Sequence, residues 1–182
     1  MSKLIKRALK TSIIPAILMI AGKVFGIFFI SALYTLSFEI GNDIKGPFST
    51  QIYFEDPQTT LFVNSFSDLS MILFLAIPTI YFISKTAIFQ STMNNPKTIV
   101  KVAKLNILQW ITKDDTTFLK IFIWNAFLWI SCAIVIVNTF QNSTYTWVGI
   151  VAGSIAFICG YGALKTFELE VDKVYPDKRR YF

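Results

Sequence analysis

The stretch "IIPAILMIAGKVFGIFFISALYTLSF", residues 13–38, decides the fold class. An α-helix rising 1.5 Å per residue needs about 20 mostly apolar residues to cross a hydrocarbon core of about 30 Å, and this run exceeds that length. One cation, Lys23, interrupts it, with Gly22 and Gly26 beside it. Three further apolar runs follow at 69–89, 118–140 and 145–167. In lipid a backbone must satisfy its own hydrogen bonds, and none of these runs alternates as a barrel strand does, so each is read as a helix. The second is the shortest, bounded by Asp68 and Lys85, and Pro78 within it predicts a kink. The expectation is an all-α integral, multi-pass membrane protein with four transmembrane helices, forming a single membrane domain over 1–182.

Composition agrees. Of the 182 residues 54% are hydrophobic and only 15% charged, whereas a soluble domain carries roughly 25% charged residues. The net charge of +6 does not form the basic stripe of a nucleic-acid protein, because the basic residues fall between apolar runs. No nucleic acid is expected, and a membrane surface is the natural partner. The chain has no histidine, which excludes His-ligated haem, His-rich metal centres and Ser-His-Asp chemistry. Cys132 and Cys159 both sit in apolar runs, where a thiol packs as a small hydrophobe. Neither a metal site nor a cofactor is expected.

Lys and Arg stay on the cytoplasmic side of a membrane. They cluster before the first span (Lys3, Lys6, Arg7, Lys10), between the second and third (Lys97, Lys101, Lys104, Lys113) and in the tail (Lys173, Lys178, Arg179, Arg180). The connection 39–67 carries Lys45 against Glu39, Asp43, Glu55 and Asp56, and the turn after the third span is uncharged. Four spans then alternate without conflict, with both termini cytoplasmic, in a plasma or inner membrane. The N-terminal run is too long for a signal peptide and lacks a small-x-small cleavage site, so it reads as a retained span.

Outside the spans, "FSTQIYFEDPQTTLFVNSF" (48–66) has two runs rich in β-branched and aromatic residues around Asp56-Pro57. This predicts a small extracytoplasmic β-hairpin with strands at 49–54 and 59–63. On the cytoplasmic side, residues 96–111 read as an interfacial amphipathic helix. Ile99, Ala103, Ile107 and Trp110 share one face, and Lys97, Lys101 and Lys104 another, a pattern drawn to anionic headgroups. The tail 168–182 mixes acids, bases and aromatics and is too short for a domain. Asn142-Ser143-Thr144 matches the glycosylation pattern, but in a turn flush with the membrane it is read as a chance match.

The fourth span carries a stripe of small residues: Gly149, Ala152, Gly153, Ala156, Gly160 and Ala163. Such residues let helix backbones approach closely, the main source of association where lipid is as apolar as leucine. Gly22 and Gly26 make a single groove in the first span, which predicts that spans one and four pack together, unless the stripe serves a second protomer. Asn125, Ser131 and Asn138 on the third span can hydrogen-bond between helices.

Lys23 lies about 20 Å along its helix from Lys10. An ionised lysine at mid-membrane costs about 2.5 to 3.5 kcal/mol on insertion scales, so it is expected to face the bundle, with hydroxyls or carbonyls as partners. Its role is to fix helix register or to hold a ligand. No Gly-rich phosphate loop, activated nucleophile or intramembrane carboxylate pair points to an enzyme. The functional expectation is a non-catalytic subunit or assembly partner of a membrane complex. The alternative is a small transporter or channel, assembled as a homo-oligomer, that uses Lys23.

Overall fold

The computed structural model describes residues 3–37, 39–40, 52–54, 56–93 and 117–174. The amphipathic helix expected at 96–111, with Lys97, Lys101, Lys104 and Trp110, lies outside the described residues, as does the end of the tail. The elements are α1 (Lys3–Leu33), β1 (Glu39–Ile40), β2 (Ile52–Tyr53), α2 (Pro57–Met93), α3 (Thr117–Phe140) and α4 (Thr146–Val174). Each of the four helices contains a stretch long and apolar enough to cross a membrane: Ile5–Leu33, Pro57–Ile88, Phe118–Phe140 and Thr146–Glu168. They fit a multi-pass membrane protein, and the bundle is helical throughout.

The expected hairpin gives way to helix. Residues 59–63, assigned to its second strand, lie in the first two turns of α2, and Ile52–Tyr53 pair instead with Glu39–Ile40, antiparallel. The cause is Asp56-Pro57, which starts a helix here rather than turning a hairpin. Pro57 is the first helical residue, where its missing N–H costs no bond, and Asp56 precedes it as the cap. The Asp56 carbonyl accepts from Thr60 N–H at 3.0 Å, and its carboxylate accepts from the Thr59 hydroxyl at 3.4 Å. α2 is therefore much longer than the run 69–89, and continues through Pro78.

α1 and α3 both close with a left-handed residue. At the end of α1, Thr35 has φ 50° and Leu36 N–H donates to Ser31 O at 2.9 Å. At the end of α3, Asn142 has φ 54° and Ser143 N–H donates to Asn138 O at 2.9 Å. Both are Schellman closures, the second leading through a short turn into α4. α1 consequently ends at Leu33, short of the expected Phe38.

α2 and α3 form the centre, and α1 and α4 each lie against both of them. The core between them contains Met71, Ile72, Leu75, Leu128, Cys132, Val135, Val148, Ala152 and Ala156. Large apolar side chains such as Phe122, Ile150, Phe157 and Leu164 are exposed on the outside, as expected where the solvent is lipid.

The groove on α1 packs differently from the expectation: Gly22 and Gly26 meet α2, not α4. A Cβ on Gly26 would fall 2.6 Å from Ser67 Cα, and one on Gly22 3.0 Å from Met71 Cα. The physical reason is that α2 offers the flat counterpart, with small Ser67 and Ser70 facing Gly26. The α4 stripe is mostly spent inside the chain. Gly149 faces Thr139, Gly160 faces the Trp129 ring, and Ala152 and Ala156 are fully buried. Ala163 is half-buried, and its carbonyl accepts the Thr166 hydroxyl. Gly153 alone of the stripe's glycines would meet nothing within 4 Å.

Candidate functional site

Close approach of α1 and α2 creates the site. With no Cβ at Gly26, the two backbones come near enough for the Ser67 hydroxyl to donate to the Lys23 carbonyl at 2.9 Å. The next residue on α2, Asp68, then meets the lysine itself. Lys23 Nζ donates to Asp68 Oδ1 at 2.9 Å, with Lys23 8% exposed and Asp68 0%.

The other carboxylate oxygen is also engaged. Asp68 Oδ2 accepts from Asn138 Nδ2 at 2.9 Å and from Thr144 Oγ1 at 2.6 Å. One turn earlier on α2, Ser65 Oγ accepts from Tyr145 N–H at 2.8 Å. Asp68 thus ties together α1, through Lys23, α3, through Asn138, and the α3–α4 turn, through Thr144. A buried charge is tolerated when it is paired and its remaining lone pairs are hydrogen-bonded, and here one carboxylate receives three donors.

Depth explains why the arrangement is affordable in lipid. Asp68 lies about 26 Å along α2 from Lys85, so in a core of about 30 Å it sits just inside the boundary at the α3–α4 turn. Gly26 opposes Ser67 and Ser70 while Gly22 opposes Met71 and Phe74, which puts Asp68 slightly nearer that boundary than Lys23 itself. Lys23 therefore reaches a carboxylate, where hydroxyls or carbonyls were expected as its partners.

The other polar groups of the spans divide. Asn138 joins the network, whereas Asn125 Oδ1, Ser131 Oγ and Ser31 Oγ are buried with no hydrogen-bond partner among the described residues. Ser154 is exposed and donates back to Ile150 O. Thr144, the third residue of the glycosylation pattern, has its hydroxyl buried against Asp68. Beside the network, an open hollow of about 420 Å³ lies between the start of α2 and the α3–α4 turn, with Leu61, Asn64 and Asn142 in its wall. Among the described residues no three His, Cys, Asp or Glu side chains come together as metal ligands.

Chemically, the cluster holds one cation, one anion and two neutral donors, with no nucleophile beside a base. Its geometry is that of a clamp. In sequence Asp68 is the nearest acid to Lys23 on the outer side, but it reads as a few turns of helix away; Thr144, Ser65 and Ser67 are not marked as members, and the available signal is the grouping of Ser65, Ser67 and Asp68 directly before an apolar run. The chain matches no known family model, no curated protein and no solved structure.

Proposed function

We propose that this chain is a non-catalytic membrane protein that serves as a subunit or assembly partner of a membrane complex. Both termini face the cytoplasm, and the α3–α4 turn faces the opposite side. The observation that carries the reading is the engagement of Lys23: the charge deep in the first span is neutralised by Asp68, and that carboxylate spends its remaining contacts joining helices. A transport site needs intramembrane charge available to cargo. Here the charge is used to hold the bundle together.

Sidedness follows from the basic residues before α1, between α2 and α3 and after α4. The basic residues Lys97, Lys101 and Lys104 and the Trp110 ring of segment 96–111 supply, by their sequence pattern, the chemistry that attracts anionic lipid and cytosolic parts of a complex. Within the membrane the partners are other membrane proteins or further copies of the chain, received on the outward faces of α1 and α4.

Two measurements test this. Mild detergent extraction with cross-linking should return the chain bound to a reproducible set of membrane partners. Purified protein in liposomes should move neither ions nor small solutes; movement that Lys23→Leu abolishes would overturn the proposal in favour of transport.

A further inference from the structure

The helix contacts fix which residues share a level, and they bring basic residues from all four helices to one end of the bundle. Gly22 lies opposite Met71 and Phe74, and Gly26 opposite Ser67 and Ser70. Carried down the antiparallel pair, that register sets Lys10 of α1 level with Lys85 of α2. Asp68 bonds Asn138, and the same extension sets Lys85 level with Lys120 of α3. Gly149 faces Thr139 and Gly160 faces Trp129, which sets Lys165 of α4 within one turn of Lys120. Lys6 and Arg7 add a further turn on α1.

This end differs sharply from the other. Among the described residues every Lys and Arg except Lys23 lies here, and the turn end has Asp56 and Asp68 but no basic residue. Lys6, Arg7, Lys10 and Lys165 are exposed and Lys85 is half-buried. None of these five is in an ion pair among the described residues. Glu168, exposed on α4, lies within a turn of Lys165, and Glu170 and Asp172 follow it on the same helix beside Lys173. From Lys165 to Thr146 the chain climbs about 29 Å, matching a hydrocarbon core of about 30 Å, so the belt falls at the phosphates of one leaflet.

We propose that this belt binds the phosphodiester headgroups of anionic phospholipids as an annulus around the bundle, in the leaflet on the side of the termini. Long basic side chains keep their stems along apolar surface and their charges among the headgroups. Anionic lipid is drawn to them, and the belt sets the depth of the bundle so that Asp68 stays just inside the opposite boundary. This rests on the membrane reading of the four helices and not on the identity of any protein partner, so it can fail while the assembly role stands.

The test uses the full chain in vesicles of phosphatidylcholine with a minor share of phosphatidylglycerol, and reads the annular fraction of spin-labelled lipid of each kind. Phosphatidylglycerol should be enriched at the protein on the order of fivefold. In a K97Q/K101Q/K104Q background, which removes the basic face of 96–111, enrichment should fall severalfold on adding K6Q/R7Q/K10Q/K85Q/K165Q and persist on adding K6R/K10R/K85R/K165R instead. It should also collapse in about 1 M NaCl, where the screening length is about 3 Å. Millimolar inorganic phosphate should leave it unchanged. Equal amounts of the two lipids around the wild type, or enrichment that survives the glutamine variant, would overturn the proposal, and competition by inorganic phosphate would overturn its lipid assignment. If the glutamine variant does not fold, the salt titration of the wild type decides.

Discussion

Lys23 and Asp68, 45 residues apart in the chain, meet at 2.9 Å with the carboxylate wholly buried. The two sides of this pair are not equivalent. Asp68 holds three donors, whereas the described bond of the Lys23 ammonium is the one to Asp68. Lys23→Met leaves Asp68 two neutral donors. Asp68→Leu strands a cation and also orphans the Asn138 amide and the Thr144 hydroxyl. Breaking a buried pair from one side costs about 3–5 kcal/mol, and Asp68→Leu should fall at or above the top of that range with Lys23→Met below it. Reversible unfolding in mixed micelles, followed by helix content, measures both. The double variant should be more stable than the sum of the single losses implies. A Lys23→Met loss larger than that of Asp68→Leu would contradict this account.

Much of the fold was legible because lipid imposes one pattern, the long apolar run, and four such runs can be counted directly. Lys23 was legible as a buried charge for the same reason. Its partner was not, and the cause is local: reading Asp56-Pro57 as a turn and Asp68 as the edge of the apolar run starts the second span at residue 69 and leaves Asp68 outside it. Once Pro57 starts a helix, Asp68 moves from the edge of a span to its interior, opposite the α1 groove. The partner of that groove was misread for a related reason. Sequence displays small residues on α4 prominently, whereas the flatness of α2 at Ser67 and Ser70 shows only when their facing is known.

Glycines that resemble one another in sequence should respond very differently to alanine. At Gly26 a Cβ would press on Ser67 Cα at 2.6 Å, a backbone atom that no rotamer change moves away. Gly26→Ala should separate α1 from α2, weaken the Ser67 bond to the Lys23 carbonyl, and cost about 1–3 kcal/mol, as overpacking does. Gly22→Ala, with contacts at 3.0 Å, should cost less. Gly153→Ala meets nothing within 4 Å and should be neutral or mildly stabilising through helix propensity. The same unfolding assay ranks the three, and a costly Gly153→Ala would show that this face of α4 is occupied.

The α3–α4 turn is latched by a hydroxyl that could not be replaced by shape alone. Thr144→Val keeps the volume and removes the donor to Asp68 Oδ2, and a hydrogen bond to a charged group contributes about 1.5–3 kcal/mol. Thr144→Ser should retain most of that stability. Asn138→Leu removes the neighbouring donor to the same oxygen, so the two losses should not add. Additive losses in a double-mutant cycle would mean that the two donors do not share one acceptor.

The closures of α1 and α3 carry different predictions for one substitution, because the left-handed region is costly for a β-branched residue and mild for asparagine. Thr35 holds φ 50° and Asn142 holds φ 54°. Among the described residues the Thr35 hydroxyl donates to the adjacent Tyr34 carbonyl at 2.8 Å, a local bond that water can replace. Thr35→Gly removes the steric cost, set against the larger freedom glycine gains when unfolded, and should stabilise the chain by up to about 1 kcal/mol. Asn142→Gly should change stability by a few tenths of a kcal/mol, while Asn142→Val should lose about 1–2 kcal/mol. The Val variant should also loosen the latch, since the turn that carries Thr144 to Asp68 begins at this residue. Faster backbone hydrogen exchange at Tyr145, whose N–H is held by Ser65 Oγ at 2.8 Å, would report that loosening directly; unchanged exchange there would show that the latch does not depend on the conformation of Asn142.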